Sequence, residues 1–212
     1  MFQLKFAHKI IVVSVVLLIL ALTVSTTINY ISLKNNTQTN LDRAIDEIGH
    51  SVSSNIANWL SGRLQIITAI AANTKVDDTP EEMSTAVKQA VEAGNLKNTY
   101  IGVENTGQFI LDDPSIQLPE GFDARQRPWY LLGKNAGSPS FTETYLDATI
   151  NQQVISVVAP IVSDGKFIGV AGGDIFLDEI ANILNAIDFL DLGYAYLTTS
   201  EGKILSHPNG KM

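Results

Sequence analysis

No cysteine occurs in the 212 residues, which removes disulfide and thiolate chemistry and suits a bacterial periplasmic domain held together by core packing alone. Histidine is nearly as scarce. His8, His50 and His207 lie outside metal-ligand spacing of one another, so no metal is expected. Basic residues number 14 against 22 acidic ones, a net charge of −8, and that sign disfavours nucleic acid or anionic lipid as a partner. No Ser-His pairing, no nucleophile elbow and no sugar-binding aromatic platform beyond Trp129 stands in the sequence. Neither an enzyme nor a cofactor is therefore called for.

What the chain does contain is a long apolar run at its start. Ile10 to Val24, extended weakly through Tyr30 and Ile31, supplies about twenty residues, enough for one bilayer crossing. Lys5 and Lys9 precede the run and only Lys34 follows closely. This predicts a cytoplasmic N-terminus over 1–9, a transmembrane helix over 10–31 and the remainder outside, in the periplasm of a bacterium with its anchor in the inner membrane. A cleaved signal peptide shares the apolar run and the polar Ser25-Thr26-Thr27 flank, but it requires a small-x-small cleavage site, and no clean one ends the run.

From Leu41 apolar residues recur at Ile45, Ile48, Val52, Ile56, Leu60, Leu64, Ile67 and Ile70, the alternating three- and four-residue steps of a heptad-like seam. A long periplasmic helix over 32–75 follows, roughly 60 Å in length. Such a rod suits a homodimer formed near its base. Gly49 and Gly62 mark where it would instead break into two helices.

Beyond the turn Asp77-Asp78-Thr79-Pro80, Glu81 to Ala93 reads as a shorter helix ending before Gly94 and Asn95. The period then changes. Tyr100 to Val103, Gln108 to Leu111, Glu143 to Ile150, Gln153 to Val162 and Lys166 to Phe176 read as strands separated by turn formers, and Leu177 to Asn185 as a helix continuing towards Leu190. Antiparallel strands with helices to one side make an α+β domain over 76–187. Ile101 to Ile110 and Tyr196 to Leu205 repeat one pattern of strand, polar Gly turn and strand, so 188–212 reads as the start of a second, incomplete module.

The segment Asp123-Ala124-Arg125-Gln126-Arg127-Pro128-Trp129-Tyr130 crowds two guanidiniums, an indole and a phenol into an acidic chain. Arg127 can hold a carboxylate with two parallel N–H bonds, while Trp129 and Tyr130 add one donor each. Pro128 fits the first position of a short helix. A surface loop in which Arg125 and Arg127 pair with local acids is the plainer reading of the same residues. Downstream, Tyr145 and Asp147 lie two apart on one predicted strand, and Ile168, Val170, Gly172 and Asp174 share one face of another. Gly172 and Gly173 remove bulk so that something can approach the backbone. Two acids and a phenol facing the Arg-Pro-Trp-Tyr segment give a pocket with a positive and a negative end, the polarity of an α-amino acid. In the competing reading Asp147 pairs with a neighbouring strand and Asp174 caps the helix starting at Leu177. An anchored hydrolase using the two aspartates as a carboxylate pair, and a stalk with a filled pocket, are the alternatives of other classes.

With these residues the chain resembles the double-Cache ligand-binding domain of bacterial methyl-accepting chemotaxis proteins, in its amino-acid-binding subtype. The likeness takes in the anchor, the long helix, a membrane-distal PAS-like module and Gly193-Tyr194-Ala195-Tyr196-Leu197 with Gly202 to Pro208, which looks like the opening of the membrane-proximal module. The resemblance implies that Arg127, Trp129 and Tyr145 hold the ligand carboxylate, that Asp147 and Asp174 hold its ammonium, and that Tyr130 shapes the wall. Tyr100, Phe122 and Phe141 are further wall candidates. Phe122 departs from the family pattern, which often has tyrosine there. The resemblance also implies cytoplasmic signalling partners, with a sensor kinase or nucleotide cyclase as alternative outputs.

Overall fold

The computed structural model describes residues 6–187, 189, 193–198, 202 and 204–207. Its first element, α1, is one unbroken helix over Phe6–Asn73. Gly49 and Gly62 do not interrupt it, since the roughly 1 kcal/mol that each costs relative to alanine is small beside the cooperativity of a long helix. The chain divides into two compact units, the first ending at Ser51 and the second beginning at Val52.

In the first unit the apolar side chains between Ile10 and Ile31 are exposed, with no protein packed on them. This part of α1 is long and apolar enough to cross a membrane by length and composition. Two of its hydroxyls bond back into the helix, Thr23 Oγ1 donating to the Ile19 carbonyl and Thr27 Oγ1 to that of Thr23. Lys5 and the rest of 1–5 lie outside the described residues.

The second unit is α+β. Ile67, Ile70 and Ala71 of α1 are buried against one face of a sheet, and Val52, Ile56, Leu60 and Leu64 pack partly against the same core. Helix α2, Pro80–Gly94, starts at a capping box: the Thr79 hydroxyl accepts from Glu82 N–H at 3.3 Å, and the Glu82 carboxylate accepts from Thr79 N–H at 2.8 Å. It ends where Asn95 turns left-handed, at φ 46°. Strands β1 (Asn98–Val103), β2 (Phe109–Leu111), β3 (Ser140–Phe141), β5 (Gln153–Ser163) and β6 (Lys166–Phe176) form an antiparallel sheet in the order β2-β1-β6-β5-β3, with β4 (Tyr145–Leu146) also paired to β5. Helix α3, Pro128–Ala136, lies on the other face, and α4, Leu177–Asn185, returns its buried Ile180 and Leu184 to the α1 side.

Period-two alternation sorts the side chains. Ile101, Ile110, Val157, Ala159, Ala171 and Ile175 enter the core under α1 and α2, whereas Tyr100, Val158 and Val170 enter the one under α3. Three expectations are corrected. The strand expected over Glu143 to Ile150 shrinks to Tyr145–Leu146, because the Asp147 carboxylate accepts the N–H groups of Thr149 and Ile150 and turns the chain. Ile168 does not share the face of Val170, Gly172 and Asp174. The register between β5 and β6 shifts at Ile161 and Val162, and this bulge sends Ile168 into the α1 core. The last helix stops at Asn185 rather than running on; Asp188 and Leu190 lie outside the described residues.

The repeated hairpin also forms. Strands β7 (Leu197–Thr198) and β8 (Ile204–Ser206) pair antiparallel, as β1 and β2 do, and Gly202 has φ 85° where Gly107 has φ 68°. The intervening Thr199, Ser200, Glu201 and Lys203 lie outside the described residues, as does Pro208.

Candidate ligand-binding site

A cleft opens on the α3 side of the sheet, lined by Asn98, Tyr100, Phe109, Leu111, Ile116, Phe122, Arg127, Trp129, Asp147, Thr149 and Asp174. Its empty space is about 330 Å³ counting the open mouth, at the small end for a ligand site. Strand β1 contributes Asn98 and Tyr100 from one face, and β2 contributes Phe109 and Leu111 by the same alternation. The aromatic wall is continuous: Tyr100 and Trp129 centroids are 4.6 Å apart, Tyr100 and Phe109 5.3 Å, Phe109 and Phe122 5.1 Å.

The two arginines of the clamp segment separate. Arg125 is the local partner of Asp123, at 2.9 Å, and reaches the Glu104 carbonyl. Arg127 caps the start of α3 with extended backbone, lines the cleft and, among the described residues, donates only to the Leu146 carbonyl, at 3.3 Å. Trp129 is 3% exposed, and no hydrogen bond from its indole N–H to protein is found among the described residues. A guanidinium with unused N–H groups beside a free indole donor is suited to a carboxylate.

The same cleft is lined by Asp174, 1% exposed. Its Oδ1 accepts from the Tyr100 hydroxyl at 2.5 Å and from Ser156 Oγ at 2.6 Å. Burial pushes its carboxyl up to about 6, although both hydroxyls and Asn98 oppose the shift and Asp147 adds to it. Asp174 does not cap α4, whose preceding residue is Phe176 with no side-chain cap. Asp147 also lines the cleft, with Oδ1 spent on Thr149 and Ile150 and Oδ2 left over.

The sequence reading thus finds Arg127, Trp129, Asp147, Asp174, Tyr100 and Phe122 on one cleft. Tyr130 and Tyr145 stand behind it. The Tyr130 hydroxyl donates to Glu104 at 2.7 Å, and Lys134 binds the same carboxylate at 2.6 Å, so Glu104 fastens α3 to the end of β1. The Tyr145 hydroxyl meets Ser156 Oγ at 2.7 Å. Phe141 is corrected: it packs with the α1 core, on the far face of the sheet, because its cross-strand partner Val157 points there. The approach that Gly172 permits is internal. A Cβ there would lie 2.3 Å from Tyr100 Cε2, so the missing side chain lets the Tyr100 ring lie across β6. Asn98, Phe109, Leu111, Ile116, Thr149 and Ser156 were not singled out in sequence, although alternation from Tyr100 reaches Asn98.

Two chemoreceptors, PctB and CtaA, illustrate what the chain is similar to. The methyl-accepting chemotaxis protein PctB of Pseudomonas aeruginosa is 33% identical over 207 residues, 98% of this chain and 33% of that protein. The ligand-binding domain of the Pseudomonas fluorescens chemoreceptor CtaA, solved with L-serine, superposes with a TM-score of 0.73 at 34% identity, covering 81% of this chain and 74% of that one. The ligand-binding domain of the amino acid chemoreceptor PctB, solved with L-Arg, gives 0.70 at 35% identity, covering 77% of this chain and 64% of that one. The chain spans about a third of the length of the curated relatives it matches. The Cache domain profile matches residues 30–212, and with a PAS-like sheet, a cleft on its α3 face and a second hairpin begun at β7, the chain belongs to the Cache domain family.

Proposed function

We propose that this chain is the sensory part of a bacterial inner-membrane chemoreceptor that binds a small amino acid. In this reading 10–31 crosses the membrane, 1–9 is cytoplasmic, 32–75 is the periplasmic helix, 76–187 is the membrane-distal ligand module and 188–212 opens the membrane-proximal one. The receptor works as a homodimer joined through the long helix and signals to cytoplasmic chemotaxis partners. Binding signals if two conformations of the receptor hold the ligand unequally.

One observation carries the reading: Arg127 and Trp129 share one cleft with the buried Asp174 and with Asp147. A zwitterion supplies a partner of opposite charge to the guanidinium and to the carboxylates, and a buried charge is costly without a partner. The amino acids bound by the CtaA and PctB domains agree with that polarity. Amines are a second reading, favoured by the two carboxylates against one guanidinium in the cleft.

Calorimetric titration of the full chain in lipid nanodiscs, with L-amino acids and their decarboxylated amines, separates the two. Amino-acid binding weakened by about 2–5 kcal/mol in both Arg127→Ala and Asp174→Ala is expected. Amine binding that survives Arg127→Ala would move the ligand class to amines. No heat with either class would sink both.

A further inference from the structure

Ser156 is the single small polar residue in the buried middle of β5, between Val154, Val157 and Val158, where strand propensity and packing both favour another valine. Such a local violation points to a site. It is fully buried and lies directly across the sheet from Asp174, which in turn faces Asn98 on β1. Its backbone N–H donates to Thr142 Oγ1 at 2.9 Å, so its position is set from β3 as well.

The hydroxyl protons around it can be assigned by counting. Ser156 has one, given to Asp174 Oδ1 at 2.6 Å. Tyr100 has one; of its two acceptors the carboxylate at 2.5 Å is nearer than Ser156 Oγ at 3.1 Å. The bond between Tyr145 and Ser156, 2.7 Å long, must then be donated by Tyr145. The result is a directed chain from Tyr145 through Ser156 to Asp174, joined there by Tyr100. Both hydroxyls, of Ser156 and Tyr100, thus converge on Oδ1.

We propose that Ser156 is a positioning residue of this site: it holds Asp174 ionised and oriented towards the ligand ammonium, and it ties the Tyr145 hydroxyl to the same carboxylate. The proposal rests on the amino-acid or amine reading for its ligand, but its effect on Asp174 is independent of any ligand. The groups facing Asp174 are Asn98 and Tyr100 from β1, Tyr145 from β4 and Asp147 from the following turn, and Arg127 lines the same cleft. Of these Tyr100 and Tyr145 are held well above the ordinary phenol range by burial and by the nearby carboxylate, so both stay protonated as donors.

The test compares the full chain in nanodiscs with Ser156→Ala and Tyr145→Phe, following chemical unfolding by tryptophan fluorescence from pH 4 to 8 and binding of L-alanine at pH 6 and pH 8. Loss of one hydrogen bond to a carboxylate should move the Asp174 inflection in the stability profile upward by about one pH unit in Ser156→Ala. L-alanine affinity should fall about tenfold or more, and further at pH 6 than at pH 8. Tyr145→Phe should move the inflection the same way by less. A serine with only a packing role would lower stability equally at every pH and leave the inflection in place, which overturns the proposal. Tyr145→Phe that leaves the inflection in place would overturn the hydroxyl chain. If the inflection moves as expected while the unmodified chain ignores L-alanine, the ligand reading fails and the role of Ser156 over Asp174 stands.

Discussion

At the scale of single residues, Asp174 decides most of the chemistry. Its folded carboxyl is raised to about 6 by burial, above its unfolded value of about 3.9. The folded state therefore binds the extra proton between about pH 4 and pH 6, and stability falls as pH rises through that window. The cost, fully present above pH 6, is about 3 kcal/mol by the conversion of one pH unit to 1.36 kcal/mol. Asp174→Asn should flatten this part of the pH profile and raise stability at pH 7 by a similar amount, read by urea unfolding, while removing affinity for any ammonium ligand. A ligand ammonium needs the ionised form, so binding should weaken below about pH 6 and, near that pH, release protons. Calorimetry in buffers of different ionisation enthalpy measures that release. The acid was visible in sequence because it ends an apolar run. Its partners Tyr100 and Ser156 sit 74 and 18 residues away, and nothing local to Asp174 names them.

At the scale of elements, β6 separates two jobs by parity. A Cβ on Gly172 would meet the Tyr100 ring at 2.3 Å, on the cleft face, whereas one on Gly173 would meet Ile67 Cδ1 at 2.9 Å, under α1. Gly172→Ala should therefore displace Tyr100 from Asp174, costing about 1–3 kcal/mol of stability and weakening ligand binding. Gly173→Ala presses on the end of a flexible side chain and should cost less stability and leave affinity near that of the unmodified chain. Paired unfolding and titration measurements distinguish the two. The ends of β5 and β6 were legible to within a residue because their long apolar, β-branched runs are bounded by turn formers. Of the short strands β2 was legible too, but β3 and β4 were not. β3 has two residues, and β4 ends where the Asp147 side chain captures its own backbone. The bulge at Ile161 and Val162 reversed the parity of Ile168, because alternation carried along a sequence assumes one residue per partner residue.

At the scale of the molecule, the heptad-like stripe of α1 serves two ends. From Val52 to Ile70 it is taken up inside the second unit, while in the first unit Leu41 and Ile45 remain 36% and 47% exposed. The homodimer proposed for the receptor should therefore use the part of the stripe around Leu41, Ile45 and Ile48. The chain has no cysteine, so single-cysteine variants report without background: Ile45→Cys should form an intermolecular disulfide in membranes under mild oxidation, and Glu47→Cys far less. Equal cross-linking at both positions would count against the seam. The amino-acid sequence by itself determined the apolar N-terminal run, the long helix, the α+β class, the start of a repeated hairpin and several of the charged and aromatic residues that line the cleft. These depend on local periodicity, charge and propensity, which neighbouring residues express together. Only the tertiary structure decided that Arg125 serves Asp123 while Arg127 serves the cleft, that Phe141 turns away from it, that Gly172 makes room for Tyr100 and that Ser156 links Tyr145 to Asp174. Those assignments depend on cross-strand register, bulges and which hydroxyl lies nearest a buried carboxylate, and such contacts form between residues that the chain keeps far apart.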